Sequence, residues 1–229
     1  MYKSETFGRI FWVDDDYEFK SCPLCVDGTG DFTVEGYFYI TDSGSNSNAW
    51  DLRDGSDAEQ FFLRCINGTS WDLRFSGGQL ATFTAEVKIW NHIAVSRSGS
   101  TLKIFVNGVQ TNSISNSSNA TNTGPLLIST FFDTTGSGTD YGFSGLVSNF
   151  RVVKGTGLYT QDFVPPTKPL TNVTNTKLLC FNSESSITSA TVTPGTITVT
   201  GTQTLPSSFS PFDTSIDGVL GKGSDYCIW

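Results

Sequence analysis

Short runs in which apolar and polar side chains alternate recur along most of this 229-residue chain, and they constrain its fold more than any other feature. In residues 31–41 (DFTVEGYFYIT), one face carries Phe32, Val34, Phe38 and Ile40, and the other carries polar and tyrosine side chains. A period of two residues with many aromatic and β-branched side chains is typical of a strand that is buried on one face. The segment therefore predicts a half-buried β-strand.

The clearest block is residues 90–110 (WNHIAVSRSGSTLKIFVNGVQ), where two apolar runs flank the turn-forming sequence Ser98-Gly99-Ser100. Asn107-Gly108 follows the second run and supplies two residues that tolerate positive φ, as a two-residue hairpin requires. The block predicts a meander of antiparallel strands.

Further short strands are predicted along the chain, and the composition agrees with them. In residues 71–75, Trp71, Leu73 and Phe75 alternate with Asp72 and Arg74. The chain contains 30 Thr, 28 Ser and 23 Gly but only 7 Ala and 6 Glu, so good helix formers are scarce. Many short strands in one antiparallel series predict an all-β protein with an antiparallel β-sandwich of the jelly-roll type.

Charge and hydropathy exclude two function classes, nucleic-acid binders and membrane-spanning proteins. The chain has 14 basic and 22 acidic side chains and a net charge of −8, whereas a nucleic-acid binder needs clustered Lys and Arg. No apolar run reaches the roughly 18 residues that span a membrane. Residues 1–19 also lack the apolar core of a secretory signal, so we expect synthesis in a cytoplasm.

Cysteine and histidine usage favours a structural interpretation. An odd number of cysteines, five, argues against a secreted disulfide framework. Cys22 and Cys25 have zinc-ligand spacing, but no second such pair completes a four-ligand site. We therefore expect buried thiols or a local redox pair. The single histidine, His92, lies within a predicted strand and is interpreted as a packed strand residue rather than a catalytic base.

Three stretches in series, DFTVEGYFYI, WNHIAVSRSGSTLKIFVNG and FSGLVSNFRVVKGTGLYTQDFVPPTKPL, resemble laminin-G-like, concanavalin A-like jelly-roll domains. Residues 145–181 also resemble a signature common in bacteriophage virion proteins, especially those of marine and cyanobacterial phages. The tail segments ATVTPGTITVTG and SIDGVLGKGSDYCIW resemble a C-terminal extension of such proteins. The resemblance implies two packed antiparallel sheets with a binding or structural role.

The resemblance divides the chain into three parts. Residues 1–24 form an N-terminal arm, residues 25–181 the jelly-roll domain, and residues 182–229 a C-terminal hairpin or arm that packs on the sandwich or on a partner. Pro165 and Pro166 indicate an extended surface crossing within the domain. The acidic run of residues 14–18 has carboxylates at period two, as paired glycosidase acids do, but it lies outside the sandwich. We interpret it as a solvated arm and expect no enzymatic activity.

Two kinds of site are predicted from the family likeness. Laminin-G-like domains can carry a rim calcium, and Asp54, Asp57 and Glu59 lie close together around a glycine, so they are the candidate ligands. No other cofactor is expected. Glycan binding is a frequent activity of the family, with aromatic rings that stack on sugars, and Trp50, Tyr141 and Tyr159 are the candidates. Trp71 and Trp90 are expected in the core.

The resemblance predicts a structural virion protein displayed on the phage particle surface. A short chain without a heptad or fibre repeat favours a capsid decoration or accessory protein over a complete tail fibre. Its partners would be other virion proteins, further copies of itself in a homo-oligomer, and a host surface glycan. The alternative is a tail-fibre or tail-tip adhesin that recognises host polysaccharide. A bacterial secreted glycan-binding module is a third interpretation, which the missing signal disfavours.

Overall fold

The structure is a computed structural model of the chain that describes residues 9–13, 29–41, 47–52, 61–75, 78–119, 126–129, 143, 145–183, 185–200 and 210–212. These residues contain no helix, and hence none long and apolar enough to cross a membrane. Their strands are β1 (Arg9–Val13), β2 (Phe32–Ile40), β3 (Ser47–Asp51), β4 (Phe61–Asn67), β5 (Ser70–Phe75), β6 (Gly78–Thr84), β7 (Trp90–Ser98), β8 (Thr101–Val106), β9 (Val109–Ser115), β10 (Leu127–Ile128), β11 (Gly145–Lys154), β12 (Thr176–Cys180), β13 (Ala190–Val192) and β14 (Thr196–Thr200).

The strands form two antiparallel sheets that pack face to face. Sheet 1 has the order β14-β1-β10-β3-β4-β5-β6, and sheet 2 has the order β13-β12-β11-β2-β7-β8-β9. The inner faces meet in one apolar core, whose largest side chains include Trp50, Trp71, Phe32, Phe38, Phe61, Phe143 and Phe150. Full burial of one such side chain contributes about 1.5–3 kcal/mol, so the core accounts for the pairing of the sheets. The all-β sandwich prediction is confirmed.

Strand β2 corrects one detail of that prediction. Its apolar face, which includes Phe32, Val34 and Phe38, lies in the core as expected. The opposite face is also buried, however, because Thr33, Glu35 and Tyr37 are all shielded from solvent. Strand β2, whose alternation is typical of a half-buried strand, is therefore buried on both faces.

The cover on the outside of sheet 2 is the segment 155–170, which we call the strap. The strap is extended and crosses three strands: Leu158 N–H donates to Thr33 Oγ1 on β2 over 2.9 Å, and Tyr159 N–H donates to Ser96 Oγ on β7 over 3.2 Å. Lys103 Nζ on β8 donates to the carbonyl of Thr160 over 2.6 Å. The predicted extended crossing is confirmed, and these bonds hold it to the sheet.

The Asn107-Gly108 turn joins β8 to β9 as predicted, with φ values of 50° and 80°. Gly108 has a second role, because its carbonyl accepts a 2.9 Å hydrogen bond from Phe163 N–H in the strap. A Cβ at this position would collide with the Phe163 carbonyl oxygen. The turn thus requires glycine for its conformation and for the close approach of the strap.

The terminal segments belong partly to the sandwich. Strand β1, within the predicted N-terminal arm, lies in sheet 1 between β10 and β14. Strands β13 and β14 do not pair with each other as a hairpin would, because β13 extends sheet 2 beside β12 and β14 extends sheet 1 beside β1. The remainder of residues 1–24 and residues 213–229 lie outside the described residues.

Candidate functional site

The outer face of sheet 1 carries two arginines on neighbouring strands. Alternation along β4 and β5 sends Phe61, Leu63, Cys65, Trp71, Leu73 and Phe75 into the core. The intervening side chains then point outward, and the hairpin register pairs Phe62 with Arg74 and Arg64 with Asp72. We call these four residues the arginine face.

Asp72 holds both arginines in place. Arg64 donates from Nε to Oδ1 over 3.0 Å and from Nη2 to Oδ2 over 2.8 Å, while Arg74 donates from Nε to Oδ2 over 3.2 Å. The Asp72 side chain is 1% exposed, whereas Arg64 and Arg74 are 21% and 31% exposed. The carboxylate is therefore buried beneath two guanidinium groups that reach solvent.

The Phe62 ring packs under the same guanidinium groups. The Cζ atoms of Arg64 and Arg74 lie 5.7 Å and 5.9 Å from its centroid, within the range of cation–π attraction. Phe62 itself is buried, so the exposed layer of the arginine face consists of planar cations rather than of an aromatic ring. Side chains fixed by a salt bridge and by a ring lose little conformational entropy when they bind a ligand.

Several hydrogen-bond donors on the arginine face have no protein acceptor within the described part of the chain. Arg74 uses only Nε on Asp72, which leaves Nη1 and Nη2, and Arg64 leaves Nη1. Thr82 on β6 lies directly across from Asp72 and is exposed. Asn48 and Asp51 on β3 lie on the other side, both buried, with Asn48 Nδ2 3.4 Å from Asp51 Oδ2. The exposed groups are thus donors and a hydroxyl.

A second polar cluster lies on the outside of sheet 2, beneath the strap. Glu35 Oε1 accepts from Arg151 Nε over 2.9 Å and from Arg151 Nη2 over 2.6 Å. Its other oxygen, Oε2, accepts from His92 Nε2 over 3.0 Å and from the Tyr159 hydroxyl over 2.8 Å. We call these four residues the Glu35 cluster. His92 Nδ1 is buried without a hydrogen-bond partner in the structure.

The electrostatics of the Glu35 cluster indicate that it holds the strap on sheet 2 and is not a reactive site. Burial alone would raise the pKa of Glu35, but the hydrogen bond from His92 and the charge of Arg151 outweigh it and lower the pKa below its usual value. Burial and the charge of Glu35 raise the pKa of Tyr159, so its hydroxyl stays protonated and donates. Glu35, His92 and Arg151 are all buried. The cluster therefore ties the strap to sheet 2.

The structure does not bring together Trp50 and Tyr159, the two predicted glycan residues that it describes. Trp50 is 1% exposed and packs edge-on to Phe61 in the core, so it presents no ring face to solvent. Tyr159 lies on the opposite side of the sandwich, where its hydroxyl binds Glu35 and its ring stacks on Phe163 at 3.8 Å. Tyr141 lies outside the described residues.

Of the two tryptophans predicted in the core, only Trp71 lies there. Trp71 is fully buried between the sheets, as expected. Trp90 is only partly buried and packs against Tyr39 outside the main core, at 5.6 Å between ring centroids, which corrects that expectation. Its position at the start of β7, on the outward side of sheet 2, is the reason, because residues there alternate away from the core.

The described residues include only some of those in the metal and thiol predictions. The candidate calcium ligands Asp54, Asp57 and Glu59, and the pair Cys22 and Cys25, all lie outside them. Cys65 and Cys180 are free and buried, which confirms buried thiols for these two positions. Burial raises the pKa of Cys65 to about 11 and also raises that of Cys180, so both are poor nucleophiles.

The arginine face was not predicted from the sequence. Asp72 and Arg74 were identified only as the polar side of an alternating strand, and Arg64 was not singled out. Asn67-Gly68 is a turn sequence, but the hairpin turns at Gly68-Thr69 and its register shifts between Cys65 and Asn67, so that signal alone would place Arg64 opposite Trp71 rather than Asp72. For His92 the predicted packed strand position is confirmed, but its bond to Glu35 was not foreseen.

Known structures share the fold at low sequence identity. A protein from Bacteroides ovatus ATCC 8483, assigned as carbohydrate binding, has a TM-score of 0.56 and 14% identity over 84% of this chain and 56% of its own. This chain thus corresponds to little more than half of that protein. A SAP-like pentraxin from Limulus polyphemus gives 0.48 and 12% over 68% of this chain and 74% of its own. The CBM40 of the Ruminococcus gnavus IT-sialidase bound to α2,3-sialyllactose gives 0.48 and 13% over 58% and 79%.

A family model gives the relationship at the level of sequence. No curated protein matches the chain. The model of the concanavalin A-like lectin/glucanases superfamily, Laminin_G_3, matches residues 14–156, which is more than half of the chain. The likeness to the Bacteroides ovatus protein shows the same sandwich. The chain therefore belongs to the concanavalin A-like lectin/glucanases superfamily.

Proposed function

We propose that this chain is a non-catalytic glycan-binding module whose ligand lies on the arginine face. The observation that carries the proposal is the pair of partly exposed arginine side chains, fixed by the buried Asp72 and by Phe62, with N–H donors that no described residue accepts. Sugars are recognised by fixed donors that match their hydroxyl and acidic oxygens, and fixed planar cations supply such donors. The lectin-like fold and the carbohydrate-binding assignment of the Bacteroides ovatus protein support it.

The absence of catalysis is part of the proposal. Glycoside hydrolysis generally uses two carboxyl groups that flank the scissile bond, one as an acid and the other as a base or a nucleophile. Within the described residues, Glu35 and Asp72 are buried carboxylates occupied by arginines, Glu35 by Arg151 and Asp72 by Arg64 and Arg74. A carboxylate neutralised in this way supports a binding surface, not an acid–base pair.

A blocking substitution tests glycan binding. Thr82→Trp places a large side chain on β6 directly opposite Asp72, where cross-strand Cβ atoms lie about 5 Å apart. On a glycan microarray, wild type should bind at least one glycan and Thr82→Trp should lose it. Ser113→Trp is the matched control, because Ser113 is an exposed hydroxyl residue on β9 of sheet 2. Equal binding by wild type and Thr82→Trp, or no binding by wild type, would overturn the proposal.

We also propose that the module works on the surface of a phage particle, synthesised in the host cytoplasm and attached as a capsid decoration. The support is the resemblance of residues 145–181 to phage virion proteins, a segment that contains the strap and β12. Strands β1 and β14 are integral to sheet 1, so attachment would use residues 1–8 and 213–229. The tail-tip adhesin remains the alternative, with the same glycan face turned to the host.

Copy number separates the two locations. Quantitative mass spectrometry of purified particles should find hundreds of copies for a capsid decoration and only a few for a tail adhesin. Truncation of residues 1–8 or 213–229 should then lower incorporation while the isolated sandwich keeps its melting temperature. Particles without the chain, or unchanged incorporation of both truncations, would contradict the virion proposal.

A further inference from the structure

The arginine face also indicates the class of ligand, an inference that rests on the proposed glycan binding. We propose that the face selects saccharides with an anionic substituent, a carboxylate or a sulfate, over neutral saccharides. The anion would bind the end of the Arg74 guanidinium group, with Arg64 beside it.

The first argument is the way in which Arg74 is held. Asp72 takes only its Nε, over 3.2 Å, so Nη1 and Nη2 have no acceptor among the described residues, and the side chain is 31% exposed. Two parallel N–H groups on one guanidinium match the two oxygens of a carboxylate, or two of the oxygens of a sulfate, in a bidentate contact. A neutral hydroxyl uses only one of these donors at a time. The geometry therefore favours an anion.

The second argument is the layering of charge. The carboxylates on this face lie underneath, with the Asp72 side chain 1% exposed and Asp51 buried, while the two guanidinium groups reach solvent. An approaching ligand thus meets cations first. Arg64 uses Nε and Nη2 on Asp72, so its Nη1 can contact the same anion or a neighbouring hydroxyl.

The third argument concerns specificity. The chain has a net charge of −8, so the protein as a whole does not attract a polyanion electrostatically. Attraction must come from within about 10 Å of the guanidinium groups at 0.1 M salt, which is the screening length. A measured preference for acidic saccharides would therefore report this face.

Matched pairs of polysaccharides test the inference. The probes are polygalacturonate with its carboxyl-reduced form, and dextran sulfate with unsubstituted dextran, measured by biolayer interferometry on the full chain. We expect tighter binding to at least one acidic member than to its neutral partner. Arg74→Gln should weaken that binding about tenfold, the loss of one charge-assisted pair of bonds. Arg74→Lys should weaken it less, because the charge stays while the bidentate geometry is lost.

Controls keep the outcomes distinct. Lys177→Gln removes an exposed cation from β12 of sheet 2 and should leave binding unchanged. Equal or tighter binding of the neutral members, or acidic binding that Arg74→Gln leaves intact, would overturn the inference. If neutral members bind and Thr82→Trp removes that binding, the proposed function stands without it. Absence of binding to every probe and to every glycan on the microarray would overturn both. Melting curves of each variant show that the sandwich is folded.

Discussion

Among the carboxyl groups of the described residues, Glu35 is the one whose replacement by an amide should destabilise the sandwich most. Glu35 is fully buried and accepts four hydrogen bonds, two of them from Arg151. The amide is neutral and presents one oxygen, so the Arg151 charge would remain buried without its counter-ion. Breaking a buried pair in this way costs about 3–5 kcal/mol. The strap would also lose its bond from Tyr159.

Urea unfolding measures this loss. With an m-value of about 2–3 kcal/mol/M, the midpoint of Glu35→Gln should fall by about 1–2 M. Asp162→Asn is the matched control, because Asp162 accepts the Gln110 N–H over 2.8 Å at an exposed site on the same strap and should cost under about 1 kcal/mol. Arg151→Met in the Glu35→Gln background should recover part of the loss, since the unpaired buried guanidinium is then removed. A Glu35→Gln variant within about 1 kcal/mol of wild type would refute the reasoning.

The pH dependence of the same variant supplies a second readout. The pKa of Glu35 is lowered in the folded protein, so its contribution is complete above the usual value of 4.5 and is lost as pH falls through the folded pKa. The difference in unfolding free energy between wild type and Glu35→Gln should therefore be constant near neutral pH and shrink below 4.5. A difference that stays constant down to the acid limit would show that folding does not lower the pKa of Glu35.

Three further results are expected. Gly108→Ala should lower stability by about 2 kcal/mol or more, since it adds strain at positive φ and a collision with Phe163. Gly155→Ala, with φ of 86° and only an ordinary contact with Asn175 at 3.8 Å, should cost only the strain, about 1–2 kcal/mol. Equal melting temperatures for the two variants would contradict the role of the collision. Iodoacetamide at pH 8, followed by peptide mass spectrometry, should leave Cys65 and Cys180 unlabelled in the native protein and label both in guanidinium chloride, and native labelling of either would contradict its burial. Calcium at Asp54, Asp57 and Glu59 should raise the melting temperature relative to EDTA and fail to do so in Asp57→Asn, while no shift in wild type would end the calcium proposal.

Local alternation was enough to predict the strands but not what covers them. Phe32, Val34 and Phe38 face the core as their spacing predicts. The period cannot show that residues 155–170 fold back over the opposite face of the same strand, because that contact joins segments more than 120 residues apart. Pro165 and Pro166 predicted only that this segment is extended and crosses a surface.

The same distinction explains the two polar clusters. Glu35 contacts His92 and Arg151 across separations of 57 and 116 residues, and an isolated charge in an alternating strand is most simply assigned to solvent. Arg64 and Asp72 are only 8 residues apart, but the hairpin turns at Gly68-Thr69 with a register shift between Cys65 and Asn67, and a simple turn at Asn67-Gly68 would have placed Arg64 opposite Trp71. The residues predicted to bind glycan were aromatic instead. One of them, Trp50, is large and apolar and is therefore buried in the core.

The most direct test of the glycan-binding claim is an amide chemical-shift map of the full chain, titrated with the microarray glycan of highest affinity. Glycan binding at the arginine face predicts that the largest shifts cluster on β4, β5 and β6, at Arg64, Arg74 and Thr82 and their neighbours, and that Arg74→Gln reduces them. Shifts that cluster on the strap or on the outer face of sheet 2, with none on the arginine face, would contradict it.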